Sequence, residues 1–326
     1  MPAKLDHFDS EILRVLHNDG RLTINDLSAR IGLSPSPTAR RLRHLEEIGV
    51  ITGYAALINE ATLGFGFTVF VSVQLDKQVD EALARHQLKL YYQPKMAAGE
   101  HRLVGAEGLV RWEHPDGLLT PAQFLPHLEA DKMMAMTQHL VRQCVRDLAG
   151  NPWLPPLSLN LDADIADEAS LLELIMDELT VWHVDPARLM IEIAEAGLVR
   201  RLDRLLEGLA GLRGRGVRIS MDDFGTGGAA LARFPRLLVD EVKIDRCFVL
   251  GIEHHAAHRY LAGMMTELAH YFGMSVVAEG VETEAAADSL REAGCDTLQG
   301  FLFSPPLPLD EFSRWVARQP EPGDCA

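Results

Sequence analysis

Glu107, Asn160, Glu192, Asp222, Asp223, Lys243, Glu279 and Gln299 are the residues whose types and spacing could do chemistry together. Each stands in or at the end of a short apolar stretch, where a strand would present it. All but Lys243 offer oxygen atoms. Such a set suits a hard divalent cation, Mg²⁺ or Mn²⁺, rather than zinc. The adjacent Asp222 and Asp223 suit a two-metal centre, because one carboxylate can bridge. A two-metal centre activates water, polarises a phosphoryl group and holds attacking and leaving oxygens in line. Metal-assisted phosphodiester hydrolysis is therefore the reaction class these residues point to. Unrelated surface groups would explain one such carboxylate but not the whole set. Gathered in one place, the carboxylates would repel strongly without cations.

The elements that must position them follow from hydrophobic pattern. Short apolar strands are expected at 88–95, 103–112, 157–161, 189–193, 217–221, 241–245, 275–279 and 297–302. The first two are too close for a crossover helix and form an antiparallel hairpin. Helix-length segments separate the others. This is the order of an α/β fold: a TIM-like (β/α)8 barrel with one antiparallel strand. In such a barrel the strand ends meet at one mouth, so the polar residues above converge.

Residues 5–58 read differently, as a small all-α winged or helix-turn-helix domain. Ile12, Leu13, Val15 and Leu16 give one helix an apolar face. Thr23 can cap a second helix, with Asp26 three positions on; Leu27 and Ile31 carry its buried face and Gly32 breaks it. A third helix starts near Ser34 or Ser36, with Pro35 or Pro37 in its first turn. Ala39, Leu42 and Leu45 face inward, and Arg40, Arg41, Arg43 and His44 can point out. A glycine turn before a basic helix suits DNA recognition. By pattern alone, an arginine-rich face that is merely solvated fits as well.

Composition sets outer limits. With 326 residues the chain is long enough for two domains. The net charge of -16 means that any nucleic-acid contact must use a local basic patch. Cys144, Cys247, Cys295 and Cys325 form no C-x-x-C pair and read as reduced cysteines of a cytoplasmic protein. The N-terminus lacks the apolar core of a signal peptide, and the apolar run near 63–75 is too short to span a bilayer. No membrane association is expected.

Two resemblances sharpen this reading. Leu5-Asp6, Ile12-Leu13, Asp19-Gly20-Arg21, Leu33-Ser34-Pro35-Ser36-Pro37, Arg40-Arg41, Leu45-Glu46, Gly49-Val50-Ile51 and Gly53-Tyr54 resemble the Lrp/AsnC family of regulators over about 5–77. That resemblance implies that Ser36, Thr38, Arg40, Arg41 and Arg43 contact a DNA groove and its phosphates. It stops after one strand of that family's sensing domain, at 64–75. Tyr92-Gln93-Pro94, Glu107-Gly108-Leu109-x-Arg111-Trp112, Asn160, Glu192-Ile193-Ala194-Glu195, Asp222-Asp223-Phe224-Gly225-Thr226-Gly227, Lys243-Ile244-Asp245, Ala278-Glu279-Gly280-Val281-Glu282 and Gln299-Gly300-Phe301 resemble the EAL family across 79–316. Active members are metal-dependent phosphodiesterases that open cyclic di-GMP to linear pGpG.

Roles then follow from the second resemblance. Glu107, Asn160, Glu192 and Asp222 would bind one metal. Asp222 would bridge to a second, held with Asp223 and the region of Glu279. Lys243 would orient and polarise the attacking water, and Glu279 is the candidate general base. Arg111 would contact a phosphate and Gln93 a guanine; Glu282 and Gln299 complete the shell. Glu195 would anchor the loop after Asp223. Three departures stand out: Gly108 in place of alanine, which would loosen its strand, Ala194 in place of threonine, and Gly228-Ala229-Ala230 in place of aromatic-Ser-Ser. The division expected is a DNA-binding domain over 1–60, a strand remnant and linker over 61–78, the phosphodiesterase domain over 79–320 and a tail over 321–326. Cyclic di-GMP, DNA and a second copy of the chain are the expected partners. The alternatives are a nucleotide receptor of low turnover that regulates transcription, and an N-terminal unit used only for dimerisation or protein contacts.

Overall fold

The computed structural model describes residues 7–18, 22–47, 50–51, 75–100, 102–227 and 234–319. The chain divides into two compact units, Met1–Ser72 and Val73–Ala326.

Among its described residues the first unit has three helices: α1 (His7–Asn18), α2 (Ile24–Ile31) and α3 (Pro35–Glu47). Local chemistry sets their ends. The Thr23 hydroxyl accepts from the Asp26 N–H and donates to its carboxylate, which fixes the start of α2. Gly32 takes a left-handed φ of 71° and its N–H returns to the Ser28 carbonyl, closing α2. Pro35 then opens α3, where a missing N–H costs nothing. Ile12, Val15, Leu27, Ile31 and Leu45 form the core. The apolar strand expected at 64–75 falls on residues 64–74, outside the described set. Leu75 begins a helix, α4 (Leu75–Ala84), so the last residues of the expected linker, 75–78, are helical.

The second unit is a closed barrel. Among its described residues the ten strands are β1 (Leu88–Ala97), β2 (Leu103–His114), β3 (Gly117–Leu119), β4 (Leu157–Asn160), β5 (Leu189–Ala194), β6 (Arg218–Phe224), β7 (Glu241–Ile244), β8 (Ser275–Ala278), β9 (Thr297–Gln299) and β10 (Leu307–Pro308). From β2 the parallel order runs β4, β5, β6, β7, β8, β9. β1 closes the ring and is antiparallel to both β2 and β9. The eight strands expected from sequence are the eight staves; β3 and β10 are short additions at the edges. Strands buried on both faces need near-continuous apolar runs, and β5 supplies one: every residue from Leu189 to Ile193 is buried, Glu192 included. Helices such as Ala130–Gly150, Ala169–Val181 and Glu195–Gly214 connect the strands and cover the outside. Among the described residues no helix is long and apolar enough to cross a membrane. Cys144, Cys247 and Cys295 are free thiols.

Candidate active site

The ends of the barrel strands open into a cavity of about 610 Å³. Gln93, Glu107, Asn160, Asp222, Glu279, Glu282 and Gln299 all line it, as do Arg246 and Phe301. Glu107, Glu192 and Asp222 each bring an oxygen within 4.8 Å of the others, and so do Asp222, Asp223 and Glu279. Asp222 belongs to both groups.

Lys243 sits at the centre, fully buried. Its ammonium lies 3.1 Å from Glu107 Oε2, 2.8 Å from Glu192 Oε2, 3.3 Å from Asp222 Oδ1 and 2.6 Å from Glu279 Oε1. Burial alone would lower its pKa, but the surrounding carboxylates overcome that and hold it well above its ordinary value. Lys243 is thus a fixed donor. Burial pushes Glu279 up to about 8, aided by Asp222 and Glu107 and opposed by Lys243. Burial also raises Glu107 and Asp222. Glu192 goes the other way: burial would raise it, but Lys243 and Lys95 together pull it far down.

The amides set the carboxylates in place. Asn160 Nδ2 donates to Glu107 Oε1 at 2.6 Å. Gln299 Nε2 donates to Glu107 Oε2 at 2.7 Å and to Gln93 Oε1 at 3.1 Å. Gln93 Nε2 in turn donates to the Ser304 carbonyl. The amide oxygen of Gln299 is buried without a hydrogen-bond partner. A buried free acceptor beside two groups of oxygen ligands fits divalent cations.

The remaining expected residues divide. Glu195 is buried and its Oε2 accepts the Gly225 N–H at 2.7 Å, which ties it to the loop after Asp223. Its Oε1 would meet a Cβ at Gly227 at 2.5 Å, so a side chain there would push the Glu195 carboxylate aside. Arg111 is half-buried, and its Nη1 donates to the Val110 carbonyl at 2.8 Å; its neighbours Leu109 and Val110 line the cavity, as does Arg246. A Cβ at Gly108 would stand 3.3 Å from the Ser158 carbonyl and 3.4 Å from Leu90, so an alanine there would need its neighbours to give slightly. Gly228-Ala229-Ala230 lies outside the described residues.

On α3, Ser36, Arg40 and Arg43 are exposed. Thr38 is not: it is fully buried, and its hydroxyl donates to the Ser34 carbonyl. This corrects the expectation that Thr38 faces a groove; helical periodicity turns it inward with Leu42 and Leu45. Arg41 is committed within the unit, 2.7 Å from Asp9 and over the Phe8 ring.

A second layer of polar residues stands beneath those expected from sequence. Lys95, Ser158, Ser220 and Glu241 are all buried beneath the mouth. Each lies two residues from a mouth residue, Gln93, Asn160, Asp222 and Lys243 respectively. Side chains two apart on a strand share a face, so the layer was legible in principle.

An α/β barrel with an acidic mouth closed around one lysine defines the class of protein. Residues 76–306 match the EAL domain, and the chain belongs to that family. Residues 5–52 match the winged helix-turn-helix DNA-binding family. The chain is 35% identical over 307 residues to the bifunctional diguanylate cyclase/cyclic di-GMP phosphodiesterase MucR of Pseudomonas aeruginosa, covering 89% of this chain and 44% of MucR. It is 33% identical over 316 residues to the cyclic di-GMP phosphodiesterase NbdA of the same organism, covering 91% of this chain and 40% of NbdA. The chain therefore spans less than half the length of either relative. Among solved structures, the MucR phosphodiesterase in complex with c-di-GMP superposes with a TM-score of 0.69 at 35% identity, over 74% of this chain and 100% of that one. An EAL domain protein from Listeria monocytogenes gives 0.67 at 28% identity, over 76% and 99%.

Proposed function

We propose that this chain hydrolyses cyclic di-GMP to linear pGpG using two divalent ions, Mg²⁺ or Mn²⁺. The observation that carries the reading is the pair of oxygen groups sharing Asp222, in a chain of the EAL family. In this reading Glu107, Asn160, Glu192 and Asp222 hold one ion, and Asp222, Asp223 and Glu279 the other. Bound ions would acidify a water molecule and neutralise charge on the phosphoryl oxygens. Lys243, held protonated, orients the attacking oxygen by donating to it. Glu279, beside Lys243 and grouped with Asp222 and Asp223, is the candidate base for the proton of the attacking water. Gln93, Arg111, Glu282 and Gln299 position the nucleotide. Glu195 holds the loop that carries Asp223.

The N-terminal unit, over about 1–60, is read as an Lrp/AsnC-type DNA-binding module followed by a short connecting stretch before the catalytic domain at 79–320. Ser36, Arg40 and Arg43 are its candidate contacts. Exposed Tyr260, Met264 and Tyr271 along one helix offer an apolar face for a homodimer. The presence of a winged helix-turn-helix unit also favours a second reading, a nucleotide-responsive regulator with little turnover.

A time course with cyclic di-GMP and Mn²⁺, beside a chelator control, separates the two. Chelator-sensitive pGpG formation supports the enzyme. Saturable nucleotide binding without product over hours supports the receptor.

A further inference from the structure

Lys95 brings a second ammonium into the barrel, only 3% exposed and below the mouth. Its three donors meet three acceptors: Glu192 Oε1 at 2.7 Å, Ser158 Oγ at 2.8 Å and Glu241 Oε1 at 3.2 Å. The ammonium is thereby saturated. Glu241 is braced in turn by the Ser220 hydroxyl at 3.1 Å. The cluster joins β1, β4, β5, β6 and β7, so it links strands far apart in sequence.

Glu192 lies between the two lysines. Its Oε1 goes to Lys95 and its Oε2 to Lys243. A carboxylate held by one donor can swing about that bond; one held at both oxygens has its plane fixed. Glu107, Asp222 and Glu279 form ion pairs with Lys243 and none with Lys95. Lys95 therefore serves Glu192 among the mouth carboxylates. Buried ion clusters are weak sources of stability, since well-packed apolar replacements are commonly neutral or better. What such a cluster does supply is orientation.

We propose that Lys95, braced by Glu241 and Ser158, is a positioning residue that aims Glu192 at the cation site. This rests on the reading of Glu192 as a metal ligand. Outer groups that orient a metal ligand commonly govern affinity by about 10–100-fold.

The test is Mn²⁺ binding to the chelator-stripped full chain, read by the electron paramagnetic resonance signal of free Mn²⁺, with thermal unfolding measured in chelator. Lys95→Met should weaken Mn²⁺ binding by about 10–100-fold. It also strands Glu241, so it should lower the unfolding midpoint. The double variant Lys95→Met/Glu241→Gln removes that stranded charge. It should recover much of the midpoint but none of the Mn²⁺ affinity, a split that a merely structural role would not give. In hydrolysis, the Mn²⁺ concentration for half-maximal rate should rise while the rate at saturating Mn²⁺ stays near that of the unaltered protein. Mn²⁺ affinity in the double variant equal to that of the unaltered protein would overturn the proposal, as would failure of both variants to fold. Glu192→Gln separates the two levels of argument. If it too binds Mn²⁺ normally, the reading of Glu192 as a ligand fails; if it alone loses Mn²⁺, only the role of Lys95 does.

Discussion

The Asp223 N–H donates to Asp222 Oδ1 at 2.9 Å, and Asp223 itself has a left-handed φ of 57°. Consecutive residues on a regular strand point to opposite faces. Here the register of β6 against β7 shifts between Met221 and Phe224, and the irregularity gathers both carboxylates near Glu279. The shared position of Asp222 is thus a product of local backbone distortion.

That distortion makes Asp223 separable into backbone and side chain. Asp223→Gly and Asp223→Ala both remove the carboxylate, and hydrolysis should fall on the order of 10²-fold or more in each, as when an electrostatic stabiliser is deleted. Only alanine meets the left-handed penalty of about 1–2 kcal/mol. Thermal unfolding should rank the glycine variant above the alanine variant. Equal midpoints would mean that the backbone at 223 is unstrained.

Glu279 should give the metal-free protein a pH-dependent stability. Its carboxyl is raised from 4.5 to about 8 in the folded chain. Between those values the folded state binds more protons than the unfolded state, so this contribution to stability falls as pH rises. In chelator, the midpoint of the unaltered protein relative to Glu279→Gln should decline from pH 5 to pH 8. A difference that stays flat across that range would show that Glu279 is an ordinary carboxylate.

Ala194 occupies the N-cap position of the helix Glu195–Gly214, with extended backbone angles and no side-chain cap. Ala194→Thr places a hydroxyl where it can accept from the first turn. A gain of about 0.5–2 kcal/mol in stability is expected, measured by denaturant unfolding. No gain would show that the first-turn N–H groups are already satisfied.

The arginines of α3 should behave differently. Arg40→Ala/Arg43→Ala should weaken DNA binding and reduce the salt slope of log affinity by about 2, since each arginine neutralises one phosphate. Its helical content should not change. Arg41→Ala should instead destabilise the N-terminal unit, because it breaks the pair with Asp9. An unchanged salt slope in the double variant would remove both residues from the interface.

Much of this molecule was legible in the residue order. Alternation and apolar runs marked the eight barrel strands, since each strand carries its own pattern. Thr23, Gly32 and Pro35 marked helix ends, since capping is satisfied within a few residues. Polar residues interrupting apolar strands marked the mouth. What the order could not assign was partnership across distance. Lys243 and Glu107 stand 136 positions apart and meet only because the barrel closes in one register. The same closure puts Lys95 under Glu192 and brings Arg246 to the cavity. On α3, the packing of three helices decided that Thr38 turns inward and that Arg41 is tied to Asp9. Sequence determined which elements form and which residues they carry; through-space distances, set by strand register and helix packing, decided which of those residues act together.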